Sequence, residues 1–230
     1  MKSIFLLLLL GLAGAATAQD APSDTDQAAA ADRYGNLEKD KSGFRETWVN
    51  PDTDWTRFDS LYLWTAEFQY RDVGPARRSR GNLMNTRQRE FGISDTDREK
   101  FEEVLSDAFV KEIQKAKNFE IVDDPRPTSL IMRGAVLDII SRVPPDTVGR
   151  SEIYLASVGE ATLVLELIDA SNGEVAAVVA ERRAFQSGTG QIDAFSTPTN
   201  NATIIADVRR WARREALTLR KALEEAMAGH

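Results

Sequence analysis

The sequence predicts an α+β fold in which a mixed, largely antiparallel sheet is covered by two long amphipathic helices. Three observations predict this fold: two long segments with apolar residues at helical spacing, a strand pair joined by an Asn-Gly turn, and shorter apolar runs bounded by turn residues. The predicted order is strand, helix, strand, strand, hairpin, helix. These elements form a single domain at residues 44–228.

The first strand is predicted at Ser60 to Tyr70, which is rich in aromatic residues. The first helix begins after Ser94, whose hydroxyl is placed to cap its N-terminus. Asp97, three residues later, is placed as the second residue of a capping box. Acidic residues lead this helix and basic residues end it, which suits the helix dipole. Its buried face is formed by Phe101, Val104, Leu105, Ala108, Phe109 and Ile113.

Four further strands follow the first helix, and a hairpin turn joins the last two. Phe119 to Val122 is a short strand, and Ser129 to Ile140 has apolar residues on both faces, which is typical of a central strand. Gly159 to Asp169 alternates between apolar and polar residues, as a strand with one buried face does. Asn172-Gly173 provides turn chemistry, so Val175 to Phe185 is its hairpin partner.

The last helix is predicted from an apolar stripe that runs from Ile204 to Leu223. Its four arginines, at positions 209, 210, 213 and 214, are interpreted as a solvated face with partners among neighbouring acids. Across the whole fold, six residues are expected to be among the most buried: Phe101, Leu105, Leu163, Leu165, Trp211 and Leu219.

The N-terminus has the layout of a secretory signal peptide at residues 1–18. Lys2 provides the positive start, Ile4 to Leu12 is an apolar run, and a small-residue A-x-A pattern predicts cleavage between Ala18 and Gln19. The protein is therefore expected in the periplasm or the secreted fraction. The alternative is an uncleaved membrane anchor, although the apolar run is shorter than the roughly 20 residues that span a bilayer.

Residues 19–43 are rich in Ala, Asp, Ser and Gln, and we interpret them as a disordered leader. Gln19 stands where a lipoprotein has its acylated cysteine, so no lipid anchor is expected at this site. No later segment reaches membrane-spanning length, so no mature transmembrane segment is expected either.

Composition excludes several classes of function. The chain has 36 acidic and 29 basic residues and a net charge of −7, which argues against nucleic-acid binding. It has no cysteine and a single histidine, His230 at the very end, so histidine-based catalysis and Cys/His zinc sites are excluded. We expect no cofactor and no metal site, although an all-carboxylate calcium or magnesium site stays open in principle.

The best candidate for binding is a long polar loop at residues 71–92. It carries six arginines against two acids, Asp72 and Glu90, in an otherwise acidic chain. Arginine suits phosphate and carboxylate groups, so an anionic envelope component or an acidic protein partner is the expected ligand. The alternative is a mobile solvated spacer. Besides Arg71, the arginines are the candidate binding residues Arg77, Arg78, Arg80, Arg87 and Arg89.

Three weaker signals have ordinary structural explanations. Asp123 and Asp124 resemble paired catalytic carboxylates, but they directly precede Pro125 and are typical of a turn. Gly188-Thr189-Gly190 resembles a phosphate-binding loop only superficially, since it lacks the following Lys and Ser/Thr. Three tryptophans are either a sugar-binding platform or packing residues, with packing favoured: Trp48, Trp55 and Trp64.

Three stretches resemble a bacterial envelope family known only as a domain of unknown function, DUF3313. They are Trp48 to Asp59 (W-V-N-P-D-T-D-W-T-R-F-D), the hairpin from Leu167 to Arg183, and Val208 to Arg214 in the last helix. The resemblance implies an envelope protein and spans about residues 44–227. Members are usually lipoproteins, whereas this chain lacks the lipidated cysteine. The family brings no catalytic residues.

Together these observations predict an exported, non-catalytic binding or assembly module of the bacterial cell envelope. One alternative is a carboxylate-dependent hydrolase that acts on an envelope polymer, which requires two acids close together in a cleft, one with a raised pKa. A second alternative is a purely structural envelope component, which requires no ligand at the arginine-rich loop. The oligomeric state is left open.

Overall fold

The computed structural model describes residues 33–41, 43–73, 90–143, 154–155, 157–185, 197–198 and 201–229. Within these ranges the two long helices are α1 (Asp95–Ile113) and α2 (Asn201–Met227), and a 3-10 turn lies at Trp55–Arg57. The strands are β1 (Glu38–Asp40), β2 (Glu46–Val49), β3 (Ser60–Leu63), β4 (Glu67–Tyr70), β5 (Glu120–Val122), β6 (Ser129–Ser141), β7 (Tyr154–Leu155), β8 (Gly159–Asp169), β9 (Val175–Phe185) and β10 (Thr197–Pro198).

The main sheet has eight strands, seven of them in the order β1-β2-β9-β8-β6-β3-β5, and β4 pairs with β6. The pairs from β1 to β6 along this order are antiparallel, whereas β3 and β4 run parallel to β6 and β5 runs parallel to β3. Strands β7 and β10 form a separate antiparallel pair. The predicted α+β class and the mixed sheet are therefore confirmed.

The centre of the sheet is the hairpin formed by β8 and β9. Gly173 has a φ of +77°, a conformation that glycine adopts without steric cost, and its N–H donates to the carbonyl of Asp169 at 2.8 Å. This turn sets the register in which Leu165 lies opposite Val179 of β9. On its other side, Leu165 lies opposite Gly134 of β6. The Asn-Gly signal in the sequence therefore places the strands correctly.

The strand predicted at Ser60 to Tyr70 is two strands, β3 and β4, which lie in line along one edge of β6. Leu63 pairs with Met132 and Glu67 pairs with Ala135, so three residues of the edge lie against two residues of β6. One extra residue on one side of a strand pair produces a bulge, which interrupts pairing and redirects the backbone. Trp64 lies in this interruption and is 56% exposed.

The two helices cover one surface of the sheet, here called the helix face, and the largest apolar core lies between them. Leu105, Leu163, Leu165, Trp211 and Leu219 are buried there, at 3% exposure or less, as expected. Phe101 was expected to be equally buried and is only partly so. Its ring packs edge-on to Phe185, 5.6 Å away between centroids, and its other side borders a cavity described below.

The opposite surface of the sheet, here called the far face, is partly covered by the chain before β2. Tyr34 and Leu37 pack against a second, smaller apolar cluster that includes Val164 and Val178. Strand β1 pairs with β2 and forms one edge of the sheet. Residues 33–41 fall within the segment 19–43 that the sequence assigns to a leader, so the described fold starts before Phe44.

Two further findings concern membrane-spanning helices and metal sites. No described helix has the length and apolar composition needed to cross a membrane. In the described ranges, no group of three or more His, Cys, Asp or Glu side chains is arranged to hold a metal ion. Residues 1–32 and 74–89 lie outside the described ranges, as do 144–153 and 186–196.

Candidate functional site

Both ends of the arginine-rich segment 71–92 are fixed to the end of β6. The N–H of Arg71 donates to the carbonyl of Ile139 at 3.0 Å, and the N–H of Phe91 donates to the carbonyl of Ser141 at 2.9 Å. An ion pair of 2.6 Å joins the Arg71 guanidinium to Glu90. These three contacts hold the two ends of the segment together at the end of β6, and we call them its closed base. The five candidate binding residues Arg77, Arg78, Arg80, Arg87 and Arg89 lie outside the described residues.

A charged network on the far face holds this base in place; we call it the Asp138 cluster, formed by Arg71, Glu90, Asp138, Glu160 and Arg182. Asp138 accepts hydrogen bonds from Arg71 and from Arg182, the latter at 2.5 Å. Arg182 also donates to Glu160 at 2.8 Å. Partial burial opposes ionisation of Asp138, but the two guanidinium groups outweigh it and hold its pKa below the usual range.

Asp138 is also the one non-glycine among the described residues with a positive φ, at 54°. It lies at the irregularity of β6 between Leu137 and Ile140, where the register with β8 shifts. This left-handed conformation costs an L-residue roughly 1–2 kcal/mol. The network therefore stabilises a backbone conformation that is unfavourable by itself.

The cluster changes the interpretation of Arg71. The sequence counts it among six arginines with few partners nearby, but its guanidinium contacts both Asp138 and Glu90. Asp138 is 67 residues away in the sequence, so a local charge count could not include it. Arg71 is a structural anchor of the segment rather than a group that is free to bind an anion.

On the helix face, the same end of the sheet forms an apolar cavity of about 320 Å³, which we call the helix-start groove. It lies where both long helices begin. Buried side chains from the ends of β6 and β9, from the residue before β8 and from α2 form its floor, and the N-terminal halves of both helices form its walls. The floor residues are Ile139, Ile140, Val158, Phe185 and Val208, and the wall residues are Phe101, Val104, Ile204 and Ile205.

Polar residues border this groove at its solvent side. Ser94, Asp97 and Lys100, from the cap and first turns of α1, are all exposed. The Ser94 hydroxyl caps α1 as predicted, since it accepts from the N–H of Asp97 at 3.3 Å and donates to the Asp97 carboxylate at 2.6 Å. The groove is thus apolar inside, with both signs of charge at its opening.

The hydrolase alternative requires two neighbouring carboxylates in a cleft, one with a raised pKa. Glu181 and Glu215 are neighbouring carboxylates, but they lie in the core and not in the groove. Burial raises the pKa of Glu215 above its usual range, despite nearby Arg183 and Arg214, and the neighbouring Glu181 raises it further. Arg183 contacts both carboxylates. Glu181 and Glu215 are 4% and 1% exposed and do not line the helix-start groove, where Asp97 is the single carboxylate among the described lining residues. A polymer substrate has no access to this pair.

The weaker sequence signals are dispersed in the structure. Asp123 and Asp124 are exposed residues in the turn after β5. Trp55 packs against the main core, and Trp48 lies on β2 beneath the Lys39 ammonium, 5.7 Å from its ring. Three strands separate β2 from the edge that carries Trp64, so the tryptophans form no common platform. Gly188 to Gly190 lie outside the described residues, as do Ala18 and Gln19.

Sequence reasoning missed both the Asp138 cluster and the groove. The acid at position 138 interrupts an apolar strand, and this is the signal that could have indicated it. The groove had no comparable signal, because its lining comes from segments that are distant in the chain. Some lining residues, among them Phe101, Val104 and Ile204, were expected on the buried faces of the helices, but periodicity does not reveal whether the space between two elements is filled.

A family model described as "Protein of unknown function (DUF3313)" matches residues 25–214. The chain belongs to this family. The match covers most of the described fold, including β1 and the first half of α2, which agrees with the resemblance seen in the sequence. No curated protein matches the DUF3313 chain.

Several solved structures are similar to this DUF3313 chain at a distance. Protein XCC0632 from Xanthomonas campestris, of family DUF330, is 12% identical over 77% of this chain and 90% of its own, with a TM-score of 0.42. The PelC dodecamer from Paraburkholderia phytofirmans is 12% identical over 73% and 91%, with a TM-score of 0.32. A neuraminyllactose-binding hemagglutinin homolog from Helicobacter pylori is 10% identical over 74% and 83%, with a TM-score of 0.31. Similarity at this level carries no argument about function.

Proposed function

We propose that this DUF3313 protein is an exported, non-catalytic binding or assembly module of the bacterial cell envelope. The N-terminal signal pattern supports export, with cleavage between Ala18 and Gln19 and a periplasmic or secreted product. The family resemblance supports the envelope. The observation that carries the binding role is the helix-start groove, an apolar cavity among the described residues with a few polar groups at its opening.

The chemistry of the groove favours binding over catalysis. Its floor and walls are hydrocarbon, and the ionisable side chains that the structure describes there, Asp97 and Lys100, are at the exposed opening. A general acid or base works best on a reacting group that is held away from bulk water, with a pKa adjusted by burial. Burial raises the pKa of Glu215, but this residue of α2 has its side chain enclosed in the core, away from the groove.

The arginine-rich segment provides a second part of the proposal. Its closed base ends at Phe91, one residue before the groove lining begins at Gly92. The five candidate arginines of this segment suit an anionic envelope component or an acidic protein partner, because guanidinium groups match phosphate and carboxylate groups. Replacement of Arg77, Arg78 and Arg80 by Ser should weaken such an interaction, and wild-type binding should itself weaken with added salt because exposed charges are screened.

Site-specific photo-crosslinking in cells tests the binding role. A photo-reactive residue replaces Lys100 at the groove opening, and the matched control replaces Lys117, which is exposed beyond the other end of α1. Defined adducts at position 100 that are absent at position 117 are expected. Identical patterns at both positions, together with an unprocessed Met1 terminus in the membrane fraction, would contradict the proposal.

A further inference from the structure

We infer that the helix-start groove binds the hydrocarbon chain of a single-chain amphiphile whose anionic head group lies beside Lys100. This inference rests on the proposed binding function and names the class of ligand. It follows from three properties of the groove: the chemistry of its interior, its size, and the placement of charge at its opening.

The interior is suited to hydrocarbon because its floor and walls are apolar side chains; the polar residues in the lining are Ser94, Asp97, Lys100 and Ser141. Ile140 and Val208 of the floor are buried, and Ile204 and Ile205 of the wall are partly exposed to the cavity. A sugar or peptide placed against these side chains would lose hydrogen bonds to water that the apolar surface does not replace. A methylene chain is stabilised there with each group that it buries.

The size of the groove selects a small ligand over a folded partner. A cavity of about 320 Å³ is at the lower end of the range for small-molecule sites, roughly 300–1,000 Å³. A stable protein interface requires a much broader surface, above about 1,000 Å² in total. The groove lies between the starts of two helices and holds a small volume, so a single chain fits it better than a protein surface does.

Charge at the opening indicates the head group. The Lys100 ammonium forms no ion pair with any residue in the described ranges, whereas the Asp97 carboxylate accepts a hydrogen bond from the Ser94 hydroxyl at 2.6 Å and keeps its negative charge. Lys100 is exposed and lies one residue before Phe101 of the groove wall. An anionic group at the end of a chain that occupies the groove would therefore lie beside an available cation.

Titration of the purified mature protein with cis-parinaric acid, a fluorescent fatty acid, tests the inference. Saturable binding is expected, with displacement by palmitate and weaker displacement by hexadecanol, which has the same chain and no charge. A photoreactive fatty acid should label wild-type peptides that contain Phe101 or Ile205, a result that requires no variant. Absence of saturable binding, or labelling spread evenly over the surface, would overturn the inference.

Two pairs of variants sharpen the test. Ile205→Glu places a carboxylate in the groove and should weaken binding at least about tenfold, whereas Ala206→Glu, on the exposed side of the same turn, should leave it unchanged. Lys100→Gln should weaken palmitate binding about two- to fivefold and leave hexadecanol unaffected, with Lys117→Gln as control. Equal effects within either pair would contradict the assignment. If crosslinking at position 100 captures a protein while fatty acid fails to bind, the proposed function stands and this inference fails.

Discussion

The two faces of the central sheet are stabilised in different ways. On the helix face, Leu163 and Leu165 of β8 pack into the core beneath α1 and α2. On the far face of the same strand, Glu166 is completely buried and accepts bonds from Tyr34 at 2.8 Å, Arg33 at 3.1 Å and Arg133 at 3.4 Å. Adjacent residues of one strand therefore depend on apolar burial in one case and on charged hydrogen bonds in the other.

The two residues differ in how specific their surroundings must be. Leu165 needs only a close-packed apolar environment, which many sequences provide. Glu166 needs specific donors, and Arg33 and Tyr34 come from a segment more than 130 positions earlier in the chain. A buried carboxylate without such partners is strongly unfavourable. The far face consequently depends on the N-terminal segment in a way that the helix face does not.

The largest effect is expected on the helix face. Leu165→Ala removes a side chain that is 2% exposed, leaving a cavity beneath the helices, and should lower the free energy of unfolding by about 2–5 kcal/mol. Chemical denaturation measures this change. A loss below roughly 0.5 kcal/mol, the range typical of surface positions, would show that the assignment of faces is wrong.

A somewhat smaller effect is expected at Glu166. Glu166→Ala leaves Arg133 and Arg33 without their carboxylate, but both guanidinium groups are partly exposed and water can solvate them. The free energy of unfolding should fall by about 1–3 kcal/mol. Glu174→Ala, at the exposed hairpin turn, is the control and should change it by less than about 0.5 kcal/mol. If the two variants were equally stable, the far face would not depend on its charged bonds.

The third expected effect isolates the backbone conformation of Asp138. Both Asp138→Gly and Asp138→Ala remove the carboxylate, but glycine adopts a φ of 54° without penalty and alanine does not. The glycine variant should therefore be more stable than the alanine variant, by roughly 1 kcal/mol. The difference between their thermal unfolding midpoints measures it. Equal midpoints would show that the backbone relaxes at this position.

The smallest effect concerns Glu215, the acid that the helix face buries. Its pKa is raised in the folded state, so its stabilising contribution is complete below the unfolded pKa of about 4.3 and is lost as the pH rises through the folded value. Glu215→Gln removes this dependence. The stability of the variant relative to wild type should increase as the pH rises from about 4.5.

Denaturation of both proteins across this pH range measures the effect at Glu215. The matched control is Glu225→Gln, an exposed position on the same helix. Its stability relative to wild type should stay constant across the range. A constant difference for Glu215→Gln as well would show that Arg183 and Arg214 already compensate the buried charge.

The helix face could be predicted from the sequence because its signals are local. Helical spacing identified α1 and α2, Ser94 marked the start of α1, and the Asn-Gly pair marked the β8–β9 turn. Each of these depends on residues within a few positions of one another. Local pattern also gave Ser60 to Tyr70 as one strand, because the extra residue at Trp64 is defined only by its pairing with β6.

The far face and the groove could not be predicted in the same way. Arg71 and Asp138 meet across 67 positions, and Arg33 and Glu166 across 133. Charge counts over short windows describe such residues as unpaired, which is how Arg71 came to be counted in the positive surplus of the loop. Long-range pairing and unfilled space are properties of the assembled chain, and no short pattern encodes them.

The N-terminal segment is attached to the middle of the sheet, and this determines how the molecule would carry mechanical load. Arg33 and Tyr34 contact Glu166 of β8, which is flanked on both sides by the long strands β6 and β9. A pull that arrives through residues before Arg33 therefore acts first on the bonds that join Arg33 and Tyr34 to Glu166. Without that attachment, the same force would act directly on β1, a three-residue strand at the edge of the sheet.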